Sequence, residues 1–164
     1  KDSIHHDSIE ELKQMTTQKE RDYYTELTKE IIKEAAGKNK FAYDYLWKLM
    51  CISRTVDDIY DMDQNITRKQ LLEAIGYLLF EMPYNPFFMK HRETLSSQHV
   101  SMHNAWMAAN LWQDGDEVDK IYAHVWRDTH HEVVPLVALL TQGPEKMREV
   151  SFKIRQMFKK KLGE

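Results

Sequence analysis

The sequence predicts an all-α protein, a single-domain bundle of about six helices that covers residues 1–164. Glycine and proline number 5 and 4 among the 164 residues, about half of their usual share of roughly 12%. So few turn-forming residues do not suit an all-β protein. Apolar residues recur at spacings of three and four, as they do along the buried face of amphipathic helices. The length is that of one domain with one core.

Capping and breaking residues divide the first half of the chain. A capping box at Ser8 opens the first predicted helix, which Gly37 ends. The second predicted helix runs from about Phe41 to Met62, and its first half is apolar nearly all round, so we expect it at the centre of the bundle. Another capping box at Thr67 opens a short helix that Pro83 ends. The stripe of the second helix consists of Phe41, Tyr45, Leu49, Ile52, Val56 and Ile59.

The second half of the chain predicts three further helices. Asn85-Pro86 starts a long one that reaches about Trp112. After an Asp-Gly-Asp turn comes a helix with an apolar line at Val118, Ile121, Val125, Leu136 and Leu140, in which we expect Pro135 to form a kink. The last helix runs from Glu145 to Leu162. Short connections favour antiparallel neighbours.

Composition excludes several classes of function. Lys and Arg number 23 against 26 Asp and Glu, a net charge of −3, so no strong basic field attracts nucleic acid. Lys153, Arg155 and the lysines at 159–161 are expected to be a solvated face of the last helix. The single cysteine, Cys51, excludes an internal disulfide and a cysteine zinc cluster. With neither an 18-residue apolar run nor a signal-peptide pattern, we expect no membrane span and a cytoplasmic location.

The most unusual segment is the acidic end of the second predicted helix, which carries Asp57, Asp58 and Asp61. The helix dipole disfavours carboxylates at this end, and carboxylates so close together need a cation. Arg54 precedes the first two by three and four residues and supplies one positive charge. A divalent ion, Mg²⁺ or Mn²⁺, would supply two more. Three interpretations stay open here, namely a solvated helix end, an internal salt-bridge network and a metal site.

Polar residues also interrupt the long helix. His99 and His103 are four residues apart, and Asn110 falls on the same side two turns later. A histidine pair at this spacing is able to bind zinc or iron. The alternatives are core histidines that are hydrogen-bonded to neighbours and histidines at the rim of the bundle.

The following helix places His124, Asp128 and Glu132 four residues apart, and both carboxylates fall on its apolar line. A buried carboxylate needs a cation or a hydrogen-bond donor. One interpretation is that Pro135 turns this face to solvent or that Arg or Lys of another helix pairs with the carboxylates. The other is that they converge with the acidic helix end on a metal ion, as in metal sites in the cores of bundles. Arg127 lies nearby in either case.

The string Asp57-Asp58-Ile59-Tyr60-Asp61 resembles the DDxxD motif of class I terpenoid synthases. In that family the aspartates hold Mg²⁺ against a substrate diphosphate. The second metal motif of the family has the spacing of His124, Asp128 and Glu132, although only the Glu matches its residue types. The chain is also shorter than such a fold usually is. The resemblance implies a magnesium-dependent diphosphate chemistry.

A second resemblance covers roughly residues 45–143. The acidic string at 57–61, Asn85-Pro86-Phe87-Phe88 and Asn104-Ala105-Trp106 together resemble small all-helical proteins of tailed phages, which have no assigned function. This resemblance implies expression in the host cytoplasm and no established chemistry.

Two functions from different classes follow. The first is a non-catalytic accessory or interaction protein that binds a protein partner or itself, since no nucleophile arrangement, phosphate loop or complete metal motif is present. The alternative is a Mg²⁺-dependent enzyme that acts on a phosphate or diphosphate substrate. Its metal ligands would be Asp57, Asp58, Asp61, Asp128 and Glu132, and its substrate-binding residues Arg54, His99, His103, Asn110, His124 and Arg127.

Overall fold

The structure is a computed structural model that describes residues 25–62 and 66–162, with side chains up to residue 157. Over these residues it is almost entirely helical and has no strand, which confirms the predicted all-α bundle. None of the described helices combines the length and apolar character that crossing a bilayer requires. The helices are α1, described over 25–36, α2 (Lys40–Tyr60), α3 (Arg68–Gly76), α4 (Pro86–Lys90), α5 (Arg92–Trp112), α6 (Glu117–Asp128), α7 (Val133–Gln142) and α8 (Pro144–Leu162).

Most of the predicted helix ends are confirmed. Gly37 ends α1 with a positive φ of 57°, a conformation in which a side chain would be strained. Asn39 caps α2, because its side chain accepts hydrogen bonds from the first backbone N–H groups. The capping box at Thr67 forms with Gln70 at the start of α3. The capping box predicted at Ser8 lies outside the described residues.

Three predicted helices are interrupted, which corrects their expected extents. The helix expected from Asn85 to Trp112 breaks at His91, where the backbone leaves helical values, so α4 and α5 are separate. A 3₁₀ turn, Thr129–Glu132, separates α6 from α7. It falls in the turn before Pro135, whose ring crowds the carbonyl four residues earlier. The helix expected to run to Pro83 leaves α-geometry after Gly76 and continues as a π turn.

The core is built around α2, as predicted. Tyr45 and Leu46 are completely buried, and Leu49 and Ile52 are nearly so. Side chains from the other helices cover them, chiefly Ile32, Phe87, Leu95, Val133, Val137 and Val150. The predicted stripe of α2 is not buried to its end, because Val56 is 43% exposed. The apolar face of α2 therefore extends past its covering helices.

The end of α1 is fixed to the carboxyl-terminal helices by polar contacts. The Thr141 hydroxyl donates to the Ala35 carbonyl at 2.8 Å, and Gln142 Nε2 donates to the Glu34 carbonyl at 2.8 Å. The Glu34 carboxylate pairs with Lys153 at 2.7 Å and Lys146 at 3.4 Å. Lys153 chiefly lowers the pKa of Glu34, with Lys146 adding to the effect. These contacts join α1, α7 and α8 into one packed unit.

Candidate functional site

The acidic end of α2 is attached to α5 through an aromatic contact. Trp106 Nε1 donates a hydrogen bond to Asp57 Oδ1 at 3.1 Å, and the Tyr60 ring meets the Trp106 ring edge to face at 5.1 Å. Asp58 is half-buried, whereas Asp61 and Arg54 are exposed. The acidic residues therefore do not share one environment, because Asp57 receives a neutral donor and Asp61 faces solvent.

The α6 helix turns its polar side towards α5. Arg127 Nη2 donates to Asn110 Oδ1 and to Gln113 Oε1, both at 2.7 Å. Ala123 is the buried residue of this helix. The opposite side is apolar, and its four side chains are between 50% and 64% exposed; they are Val118, Ile121, Tyr122 and Val125. The α6 part of the apolar line that the sequence identified thus points away from the bundle and does not bury Asp128, whereas its α7 part, Leu136 and Leu140, packs against the core.

Three buried side-chain nitrogen atoms belong to α5 and α6. Asn110 Nδ2, Arg127 Nε and His124 Nε2 have no hydrogen-bond partner among the described residues. Asn110 as a whole is 8% exposed. His124 Nε2 lies 3.6 Å from Asp128 Oδ2, which is an ion-pair distance but too long for a hydrogen bond. A buried donor without an acceptor costs about 1–3 kcal/mol, so these atoms favour a group that brings acceptor atoms.

Glu132 pairs with α8 and not with the acidic end of α2. Arg155 Nη2 donates to Glu132 Oε1 at 2.7 Å, and both side chains are substantially exposed. This agrees with the interpretation in which an Arg of another helix neutralises the carboxylate. Asp128 lies beside His124 on α6.

The two histidines of α5 have different environments. His99 is half-buried, and its Nε2 lies 2.6 Å from the Tyr45 hydroxyl. Its ring also stacks on Phe88 at 5.9 Å. Burial lowers the pKa of His99 and raises the pKa of Tyr45, so the hydrogen bond joins a neutral imidazole and a protonated hydroxyl. His103 is exposed near Trp106. The structure therefore supports a core role for His99 and does not point both rings at one ligand.

Over residues 25–62 and 66–157, no three His, Cys, Asp or Glu side chains gather as ligands for a metal ion. The carboxylates proposed for one site have separate partners, namely Trp106 for Asp57, His124 for Asp128 and Arg155 for Glu132. Mg²⁺ or Mn²⁺ binding stays a prediction.

Sequence reasoning missed a broad depression of about 710 Å³ between the α1–α2 turn, α4 and the end of α7. Lys38, Lys40 and Lys90 line it and give it a positive potential, and His91 also lies in its lining. Burial lowers the pKa of His91, and Lys90 lowers it further. The sequence signal is the pair Lys38 and Lys40 on either side of the α2 cap at Asn39. This pair indicates a positive surface only when α4 brings Lys90 beside it.

The sequence reasoning also missed that α3 is largely uncovered. Leu72 is 68% exposed, and its apolar neighbours on α3 and the π turn are exposed as well; they are Leu71, Ile75, Leu78 and Leu79. The spacing of these residues indicates an apolar face, but it does not show whether another element covers that face.

Comparison with protein-family models, curated proteins and solved structures finds no significant match to this chain. The resemblances to terpenoid synthases and to phage proteins therefore stay predictions.

Proposed function

We propose that this protein is a non-catalytic helical interaction module that binds another protein chain through α6. The observation that carries the proposal is the outward apolar side of this helix. We call it the α6 surface, and it consists of Val118, Ile121, Tyr122, Val125 and the adjoining Trp112.

The size of the α6 surface supports this function. Its side chains each leave about 100 Å² in solvent, so the surface presents on the order of 500 Å² of apolar area. The Trp112 ring lies 6.3 Å from the Tyr122 ring and makes the surface continuous between α5 and α6. Single exposed apolar residues are ordinary, whereas a contiguous patch of this size is typical of an interaction site.

The orientation of α6 also supports this function. In an isolated chain the hydrophobic effect favours turning an apolar stripe inwards, and burying the α6 surface would contribute on the order of 10 kcal/mol. The chain instead directs Arg127 inwards, where the guanidinium bonds Asn110 and Gln113. A partner that covers α6 would recover the hydrophobic contribution without turning the helix.

Site-specific photo-crosslinking tests the proposal. A benzophenone amino acid at Tyr122 should attach covalently to a protein chain in cells that produce the protein, and Ile121→Glu should abolish the adduct. The same amino acid at Leu72, which is equally exposed on α3, is the matched control and should not form that adduct. Absence of any adduct at Tyr122 would contradict the proposal.

A Mg²⁺-dependent enzyme is the second candidate, and a separate observation favours it. Trp106 bonds Asp57, and Asn110 lies one turn further along the same helix beside Arg127. The acidic end of α2 and the donors without acceptors therefore border the same stretch of α5. A phosphate group has the acceptor oxygens that Asn110 Nδ2 and Arg127 Nε lack, and Arg is well suited to bind it.

Thermal unfolding in EDTA and then in Mg²⁺, Mn²⁺ or Ca²⁺ tests this second candidate. An ion that binds the folded state, at 100 times its dissociation constant, adds about 2.7 kcal/mol to the free energy of unfolding. The midpoint should rise by several degrees, and Asp57→Asn and Glu132→Gln should each remove the rise. An unchanged midpoint with every ion would contradict metal binding at these carboxylates.

A further inference from the structure

The apolar side chains of α6 are arranged symmetrically along the helix. Val118 and Val125 stand at the two ends, and Ile121 and Tyr122 stand at the centre. The midpoint of this pattern lies within one residue of the middle of the helix, Glu117–Asp128. When the direction of the helix is reversed, valine therefore falls on valine and the two central residues exchange places.

From this pattern, and resting on the proposed interaction function, we propose that the α6 surface binds the same surface of a second copy of this chain. The two α6 helices pack face to face and antiparallel, on a two-fold axis that passes between Ile121 and Tyr122. Val118 of each copy then contacts Val125 of the other. Such a contact is closed, because each copy uses the same patch.

The charges at the ends of α6 favour the antiparallel arrangement. Asp114, Asp116, Glu117 and Asp119 lie in the turn before the helix and in its first turn. A parallel pair would bring the two acidic ends together, and like charges at close range repel. An antiparallel pair places these ends far apart and also opposes the two helix dipoles.

The available area agrees with a weak dimer. A contact that covers the whole α6 surface, Trp112 included, buries about 500 Å² on each copy and roughly 1,000 Å² in total, the lower limit for a specific interface. The uncovered face of α3 is less suited to such a contact. The π turn Tyr77–Glu81 interrupts the spacing of its apolar side chains, whereas α6 is a regular helix.

Sedimentation equilibrium of the full chain tests the proposal over a wide range of protein concentration. The average mass should rise with concentration towards that of two chains. Ile121→Lys should remain at the mass of one chain throughout, and Leu72→Lys, a substitution at a similarly exposed position, should keep the rise. Circular dichroism establishes that both variants are folded. A wild-type chain that stays monomeric at every concentration would overturn the proposal.

Disulfide trapping tests the direction of packing. In a Cys51→Ser background, Val118→Cys and Val125→Cys should form a linked dimer when the two variants are mixed. Neither should link efficiently to itself, because the two copies of position 118 lie about 10 Å apart along the antiparallel helices, beyond the reach of a disulfide. Self-linkage of Val118→Cys without the mixed product would overturn the antiparallel arrangement.

The experiments also separate this proposal from the broader one. A chain that stays monomeric while Tyr122 crosslinks to a different protein overturns the second copy as partner and leaves the interaction function standing. A monomeric chain with no crosslinked partner overturns both.

Discussion

Two amphipathic helices of this molecule, α2 and α6, are placed in opposite ways. The stripe of α2 faces inwards at Tyr45 and Leu49, where α1, α4, α7 and α8 contribute covering side chains. The stripe of α6 faces outwards, and α6 packs against α5 and against the 3₁₀ turn Thr129–Glu132. An apolar stripe therefore indicates which side of a helix prefers burial, whereas the neighbouring elements decide whether that side is buried within one chain.

Two buried asparagines show the same contrast. The Asn85 side chain uses both of its polar atoms, because Nδ2 donates to Phe41 O and Asp44 Oδ2 while Oδ1 caps α4. The Asn110 side chain uses Oδ1 alone, and its Nδ2 has no partner among the described residues. Hydrogen bonding is therefore complete beside α2 and incomplete where α5 meets α6.

The largest expected effect is on the free energy of unfolding, when a side chain is truncated in the stripe of α2 and in the stripe of α6. Leu46→Ala should lower the free energy of unfolding by about 2–5 kcal/mol, since it removes a fully buried side chain and leaves a cavity. Ile121→Ala should change it by about 0.5 kcal/mol or less, because that side chain lies in solvent. Urea unfolding at low protein concentration, where the chain is monomeric, measures both. Equal losses would show that the stripe of α6 is buried within one chain.

The second prediction compares the asparagines. Asn85→Ala should destabilise the protein by about 2–3 kcal/mol, because α4 loses its cap and the Phe41 carbonyl loses a buried donor. Asn110→Ala should cost about 1 kcal/mol, since it removes one hydrogen bond and also an unsatisfied donor. Denaturant unfolding of the two variants measures both losses, since a shifted midpoint with an unchanged m-value reports a change in the free energy of unfolding. A larger loss for Asn110→Ala would mean that its Nδ2 has a partner in solution.

The sequence predicted the fold class, the central position of α2 and most helix ends, because each depends on local periodicity, glycine and capping residues. It did not predict which side of α6 faces the bundle. Arg127 and Val125 both belong to regular helical spacings, and the position of α5 decides which of the two is buried. It placed Asp57 and Glu132 in one candidate site by their shared chemistry. Their actual partners, Trp106 and Arg155, come from distant parts of the chain and leave no local signal.

The third prediction uses pH to compare the histidines of α5. Burial holds the pKa of His99 below its ordinary value, so the folded state favours the neutral imidazole, which is hydrogen-bonded to Tyr45. This contribution is fully present above the unfolded pKa of about 6.5. It is lost as the pH falls below that value towards the lower folded pKa.

The melting temperature should accordingly fall between pH 7.5 and pH 5.5, and His99→Gln should make that fall smaller. His103→Gln is the matched control, because His103 is exposed on the same helix, and it should leave the fall unchanged. A fall that is the same in wild type and His99→Gln would contradict the assignment to His99.

The smallest expected effect concerns Glu132, where the ion pair and the metal hypothesis predict different behaviour. The pair with Arg155 is 2.7 Å long, but its side chains are 40% and 60% exposed, so water and salt weaken it. Glu132→Gln should therefore cost about 1 kcal/mol or less. A double-mutant cycle with Arg155→Met should attribute that cost to the pair, and high salt should reduce it. A loss well above 1 kcal/mol that survives in Arg155→Met and disappears in EDTA would instead place Glu132 beside a bound cation.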